Sequence, residues 1–304
     1  MKSKEKTAVF LAVLAAALYA LSSPVSKLLL ARIPSTVMAG LLYLGAGTGM
    51  LAVRLVQGRT GRVPAEKKLS KKDSVYTVGM VLLDIAAPVL LMAGLKSTSA
   101  ANASLLNNFE IVATSLIDLF IFHEKISKKL WGAISLVTLA SIILTTEDGC
   151  SFRFSCGSLY VILACICWGL ENNCTRMISD KDPLQIVVIK GFGSGSGAML
   201  IALAMGEQLP EIKYALCAML LGFVAYGLSI FFYIYAQRTL GATRTSTYYA
   251  VAPFIGSALS LLIFRQVPDF SFITALIIMG AGTWLASADL KEPESCPETA
   301  AMPQ

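Results

Sequence analysis

Apolar residues run through this chain in long unbroken stretches rather than in alternation. Ten stretches stand out, at roughly 8–30, 34–56, 75–95, 98–122, 127–147, 156–177, 184–206, 212–236, 241–264 and 270–289. Each supplies the about 20 mostly apolar residues that a helix needs to cross the hydrocarbon core of a bilayer. Continuous runs without period-2 alternation predict helices rather than barrel strands. The polar remainder makes short loops, the largest being the basic stretch 57–74. The first run is too long for the apolar core of a signal peptide, and no small-residue cleavage pattern closes it.

Composition narrows the class. Of 304 residues, 56% are hydrophobic and 14% charged, and the mean hydropathy is +0.69. Soluble globular chains carry ~25% charged residues, and disordered chains need low hydrophobicity; both classes are excluded. With 23 Gly, 11 Pro and 7 Cys at no fixed period, collagen-like and disulfide-scaffold readings fail too.

The cations orient the chain. Of the 25 Lys and Arg, eighteen lie in segments on the side of the N-terminus: at the N-terminus itself, within 54–72, 125–129, 176–181 and 238–244, and at Lys291. Five lie on the opposite side (Arg32, Lys96, Arg153, Lys213 and Arg265), while Lys27 and Lys190 fall inside apolar runs. The positive-inside rule then places both termini in the cytoplasm of a cell-membrane protein. The net charge of +6 reports topology, with membrane lipids as neighbours of the basic loop and no nucleic acid as a partner.

The two halves repeat. A shift of 149 sets Tyr19, Ser22, Ser23, Ser26 and Lys27 on Trp168, Glu171, Asn172, Thr175 and Arg176. A shift of 148 sets Gly45, Gly47 and Gly49 on Gly193, Gly195 and Gly197. A shift of 142 sets Lys96, Ala100, Ser104, Phe122 and Glu124 on Arg238, Ala242, Ser246, Phe264 and Gln266. Five spans is an odd number, so the second unit enters the membrane upside down. The expected fold is an all-α integral membrane protein whose ten transmembrane helices form two inverted five-helix repeats. Its segments are a cytoplasmic N-terminus (1–7), the first repeat (8–147), an outer loop (148–155), the second repeat (156–289) and a cytoplasmic tail (290–304). Such repeats pack about a pseudo-two-fold axis with a site near mid-bilayer, the architecture of secondary transporters.

The segment Ala93–Ile126, AGLKSTSAANASLLNNFEIVATSLIDLFIFHEKI, resembles the fourth helix of the EamA-type transporters of the drug/metabolite transporter superfamily. The resemblance extends over about 8–289. That helix typically reads A-L-(K/R)-x-T-S-A-x-x-A-S-L, then Glu-Pro, then Gly-Glu. Here Ile111 replaces the Pro and His123 the Gly before Glu124; in the second copy Pro253 is kept, but Ala252 and Gln266 replace the acids. The Trp-Gly common in a repeat's first helix is Trp168-Gly169 in the second copy and Tyr19-Ala20 in the first. The resemblance implies the fold and transport of amino acids or other small metabolites, without naming one.

Ionisable residues in hydrocarbon usually face a cavity or a partner. Asn107, Glu110, Thr114 and Asp118 share one helical face by their spacing. Glu110 is either a proton or substrate-amine site or a carboxylate held for packing, and Asp118 lies nearer the cytoplasmic end. Tyr19, Ser22, Ser23 and Ser26 form one stripe, and Trp168, Glu171, Asn172 and Thr175 form its counterpart beside Asn173. Both stripes are expected at the interface of the repeats, with Pro24 and Gly169 loosening their helices at one level. Lys190 either snorkels or pairs with Glu171 or Asp84, and Asp84 has Pro88 one turn on. Tyr249, which the 142 shift sets on Asn107, is either an aromatic platform for a planar substrate or core packing. The expected substrate contacts are Tyr19, Ser23, Asn107, Asn108, Trp168, Asn172, Asn173 and Tyr249. Asp84, Glu110, Glu171 and Lys190 are the expected proton- or ion-coupling groups.

The glycine runs of the second and seventh spans lack the flanking strand and Lys-Ser/Thr of a phosphate loop; close helix approach or hinge bending is their expected use. His123 is the single histidine, so no metal and no cofactor are expected. Cys150 and Cys156 could pair in an oxidising outer loop, and Cys165, Cys167, Cys174 and Cys217 are expected to be buried. The function expected is secondary active transport of a small molecule by a monomer or homodimer. A membrane sensor or assembly partner is the rival, and an intramembrane enzyme would lack a nucleophile–base pair.

Overall fold

The computed structural model describes residues 2–59, 67–121, 123, 126–147, 153–178, 181–240, 245 and 248–289. The loop around 60–66, Cys150 with its possible disulfide, and the tail 290–304 lie outside them. The first half comprises α1 (Lys2–Ala20), α2 (Ser22–Leu29), α3 (Ser35–Arg59), α4 (Ser74–Ser97), α5 (Ala100–Leu106), α6 (Phe109–Ile121) and α7 (Lys128–Thr145). The second comprises α8 (Cys156–Met177), α9 (Pro183–Ala204), α10 (Ile212–Gly222), a π-helical stretch Phe223–Leu228, α11 (Ser229–Leu240), α12 (Ala252–Phe264) and α13 (Phe270–Asp289). Between the halves two short antiparallel strands pair Thr146 with Phe154 and Glu147 with Arg153.

Eight stretches of the described residues are long and apolar enough to cross a membrane. The two other expected spans differ from these for distinct reasons. Helix α8 has the length but carries the polar stripe around Glu171, whereas α12 is an apolar helix of 13 residues preceded by positions outside the described set. Large apolar side chains such as Phe10, Leu82, Phe120, Leu200, Leu216, Ile277 and Trp284 stand exposed around the bundle, as a lipid-facing surface requires.

Several expected spans are broken, each with a local cause. The α1–α2 break falls at Leu21; Pro24 offers no N–H to the Ala20 carbonyl, and its ring crowds that oxygen. Gly169 behaves differently, because α8 runs through it without interruption. Its bare Cα admits α6: a methyl there would lie 2.8 Å from Ala113 Cβ and 2.9 Å from the Thr114 nitrogen. Between α5 and α6 the chain makes a tight turn, with Asn108 N–H donating to Leu105 O and Ile111 N–H to Asn108 O. The turn forms although Ile111 stands where the family pattern has Pro. In the second half Ala250 and Val251 turn before α12, one position beyond the repeat equivalents Tyr249 and Ala250.

Helix pairing follows the repeat. Helix α3 packs on α9, and α7 on α13; α4 packs on α8 as α1 packs on α11; α6 packs on α8 as α1 packs on α12. Exchanging the halves therefore maps each of these pairs onto itself or onto another of them. Small residues make the contacts, as membrane helices without a hydrophobic driving force between them require. A methyl on Gly195 would stand 2.7 Å from Leu44 N, one on Gly47 3.0 Å from Gly191 C, and one on Gly94 2.7 Å from Gly157 O.

The loops sort to two ends. At one end Arg54 pairs with Asp182 at 3.1 Å and Lys181 with Asp73 at 3.8 Å, while Asp182 N–H donates to Lys67 O. At the other, residues 30–34, Lys96, Glu211 and Tyr214 surround an open depression of about 440 Å³. This matches the sequence-based separation of the basic segments from Arg32 and Lys96. Cys165 is fully buried as expected, but Cys217 is exposed on α10: an apolar thiol suits a lipid-facing position as well as a core.

Candidate functional site

The charged residues of the spans converge where α4 of the first half meets α8 and α9 of the second. Lys190 on α9 lies 3.1 Å from Asp84 Oδ2 and 3.0 Å from Glu171 Oε1. Asp84 is fully buried and Glu171 nearly so. The cluster is secured at its edges: the Tyr43 hydroxyl donates to Asp84 Oδ1 at 3.0 Å, and the Thr175 hydroxyl donates to Glu171 Oε1. Pro88, one turn beyond Asp84, leaves that residue's carbonyl without its helical donor. The alternatives for Lys190 thus resolve to pairing, with both carboxylates at once.

A second polar group lies along the α6–α8 contact. Asn172 Nδ2 donates to Glu110 Oε1 at 2.7 Å and reaches Thr114 Oγ1 at 3.4 Å. One turn on, Asp118 pairs with Arg176 at 3.4 Å, so the stripe Glu110, Thr114 and Asp118 meets Asn172 and Arg176 as a ladder. Asn172, which holds Glu110, is the chain neighbour of Glu171 on α8. The ladder and the ion cluster therefore form one site.

Tyrosines make the wall facing it. The Tyr19 ring lies 5.9 Å from Tyr226 and 5.8 Å from Tyr249, and Tyr226 lies 5.5 Å from Tyr43. Ser22 Oγ meets Tyr226 OH at 2.8 Å, and Ser229 Oγ meets Tyr249 OH at 3.1 Å while donating to Ala15 O. Trp168 is buried with its indole near the Tyr43 hydroxyl. Ser23 is buried on α2, and Asn107 sits buried at the α5–α6 turn with Oδ1 lacking a hydrogen-bond partner.

Two expected contacts point elsewhere. Asn108 donates to Leu105 O and accepts from Thr283 on α13, which ties the turn to the last helix. Asn173 Nδ2 donates back to Gly169 O within α8. Conversely, Tyr43 and Tyr226 belong to the site although the sequence does not single them out. Each sits in an apolar run where an aromatic reads as packing, and only their hydroxyls' partners on other helices reveal them. Lys27 is a helix-end device: its ammonium donates to the Leu95, Lys96 and Thr98 carbonyls at the end of α4.

The chain matches the EamA-like transporter family over residues 6–146 and again over 155–288. It belongs to that family. The two EamA-like segments coincide with the two halves whose helices exchange in the packing. An uncharacterized transporter of Methanothermobacter thermautotrophicus is 24% identical over 286 residues, spanning 88% of this chain and 82% of that protein. The uncharacterized transporter YyaM of Bacillus subtilis is 20% identical over 240 residues, 75% of this chain and 78% of that one. A crystal structure at 16% identity superposes with a TM-score of 0.67, covering 95% of this chain and 98% of the other, which supports the fold. This EamA-like chain is thus a multi-pass membrane protein of a transporter family.

Proposed function

We propose that this protein is a secondary active transporter moving a small metabolite, amino acid-like or otherwise polar or amphipathic, across the cell membrane. Ten spans in two inverted repeats would expose one site alternately to either side, with both termini in the cytoplasm. The observation that carries the reading is the Asp84–Lys190–Glu171 cluster, buried between helices of both halves. With all three groups ionised the cluster bears one excess negative charge. An uncompensated charge in the bilayer interior costs at least ~2.5–3.5 kcal/mol, so uptake of a proton or a cationic solute balances the site. Exchange of that balancing charge across the membrane is what gradient-driven transport consists of.

Purified protein in liposomes should catalyse counterflow of a preloaded solute and uptake driven by a pH gradient. Pairing Glu110→Gln with Glu171→Gln tests the proton step. Unchanged pH dependence in both variants would discard proton coupling, and no flux across a broad solute panel would discard transport in favour of a sensor or assembly role.

A further inference from the structure

We infer that the solute carried is an organic amine with an aromatic or apolar body and no carboxylate, its ammonium received at Glu110 and its body by the Tyr19–Tyr226–Tyr249 wall. This rests on the transporter reading and adds the chemical class of the cargo.

The charges at the repeat interface are lopsided. Asp84, Glu110 and Glu171 are three carboxylates, and Lys190 is the one ammonium among them in the described residues. Both carboxylate contacts of Lys190 are already made. The other cations that reach the spans nearby are committed as well: Lys27 to the carbonyls of Leu95, Lys96 and Thr98, and Arg176 to Asp118. Among the described residues, a carboxylate on the cargo would find no uncommitted cation here and would approach like charges, which opposes binding. An ammonium meets the reverse situation.

The hydrogen-bond inventory points the same way. Among the described residues Glu110 receives the Asn172 amide alone, leaving most of a carboxylate's about four lone-pair positions open. Asn107, in the turn that leads into α6 and joined to it through the Glu110 N–H to Asn107 O bond, brings a buried Oδ1 with no donor among the described residues. Buried acceptors left unpaired are costly, and an ammonium has three donors to give. The rings provide the third observation. Tyr226 lies 5.5 Å from Tyr43, whose hydroxyl donates to Asp84; Lys190 joins Asp84 to Glu171, the chain neighbour of the Asn172 that holds Glu110, so the aromatic wall runs into the carboxylate cluster. Ring faces attract a cation and take a flat apolar body.

The test uses three solutes of one shape: 2-phenylethylamine, phenylalanine and 3-phenylpropanoate. Binding to the purified full chain is read by ligand-induced thermal stabilisation, and flux by counterflow in liposomes. The expected binding order is cation, then zwitterion, then anion, with the cation ahead by about 30-fold or more, the size of effect seen when a buried charge partner is missing. Glu110→Gln should abolish that preference and Glu110→Asp should keep it, which separates loss of charge from loss of fold. Equal or tighter binding of phenylalanine or phenylpropanoate, or no binding by any of the three, overturns the inference. Binding in the expected order without flux would leave the ligand class standing and count against the transporter reading instead.

Discussion

Lys190 and Leu42 hold equivalent places in the two halves, yet one meets a carboxylate and the other meets bare backbone. The 148 shift that aligns the glycine runs pairs these two residues. Lys190 contacts Asp84 on α4; at the matching point of the other half, a methyl on Gly222 of α10 would overlap the Leu42 carbonyl oxygen. Neighbouring contacts confirm the register: Val81 and Ile85 lie against Gly193 and Gly197 as Met219 and Phe223 lie against Gly45 and Gly49. The two-fold arrangement is thus kept in shape and broken in charge.

Removing the ammonium should be worse than removing the whole charged pair. Lys190→Met leaves Asp84 and Glu171 facing each other without a counter-ion, and breaking a buried pair this way costs about 3–5 kcal/mol. Unfolding in detergent should show a large fall in midpoint for Lys190→Met and a partial recovery for Lys190→Met with Asp84→Asn. Equal midpoints for the single and double variants would contradict the assigned pairing.

The neutral half should be intolerant of volume instead. Gly45→Ala and Gly222→Ala force a methyl onto the Met219 and Leu42 backbone, and overpacking of this kind costs typically about 1–3 kcal/mol. Gly58→Ala, in the last turn of α3 with nothing within 4 Å, should be neutral or slightly stabilising. Similar losses at all three positions would show that close backbone contact is not what governs them, since the gain in helix propensity is common to all three.

Lys27→Met should destabilise the fold without altering solute selectivity. The substitution keeps most of the aliphatic stem but strips three carbonyls at the end of α4 of their donor. A loss of about 1–3 kcal/mol is expected. A changed preference among solutes would instead place Lys27 in the binding site.

Pro24→Ala should restore the missing N–H to the Ala20 carbonyl and join α1 to α2. The variant should fold at least as well as the parent but move solute several-fold more slowly, because Tyr19 and Ser22 flank the break and both contact Tyr226. Unimpaired flux would show that the break serves folding alone.

Much of this was written in the residues themselves. Long apolar runs declare spans, and the shifted pairs Ser22–Glu171 and Gly45–Gly193 declare the repeat before any packing is known. Asp84, Glu110, Glu171 and Lys190 stand out because charge is rare in such runs. Periodicity cannot show where a helix stops being one: Asn107 and Glu110 share a face only if the helix is continuous, and the turn at 107–108 intervenes. Nor can it distinguish Tyr226 from any other aromatic in an apolar run. Its partner Ser22 is 204 positions away, and a match at that distance exists only after folding. Gly169 and Pro24 look alike as helix looseners, but one removes a side chain and the other a hydrogen bond. Only the Pro interrupts its helix.

In the alternating access proposed above, the crossing of α3 and α9 would set how far the two ends of the bundle move. The helices touch through bare backbone around Gly47 and Gly191, about midway along α3. From that fulcrum an arm of about 12 residues measures roughly 18 Å, at about 1.5 Å per residue. Rocking by about 20° would sweep its tip through roughly 6 Å, about the width of a benzene ring, with helix geometry setting the scale. Because both arms would turn on the same contact, aperture gained at one end would be surrendered at the other.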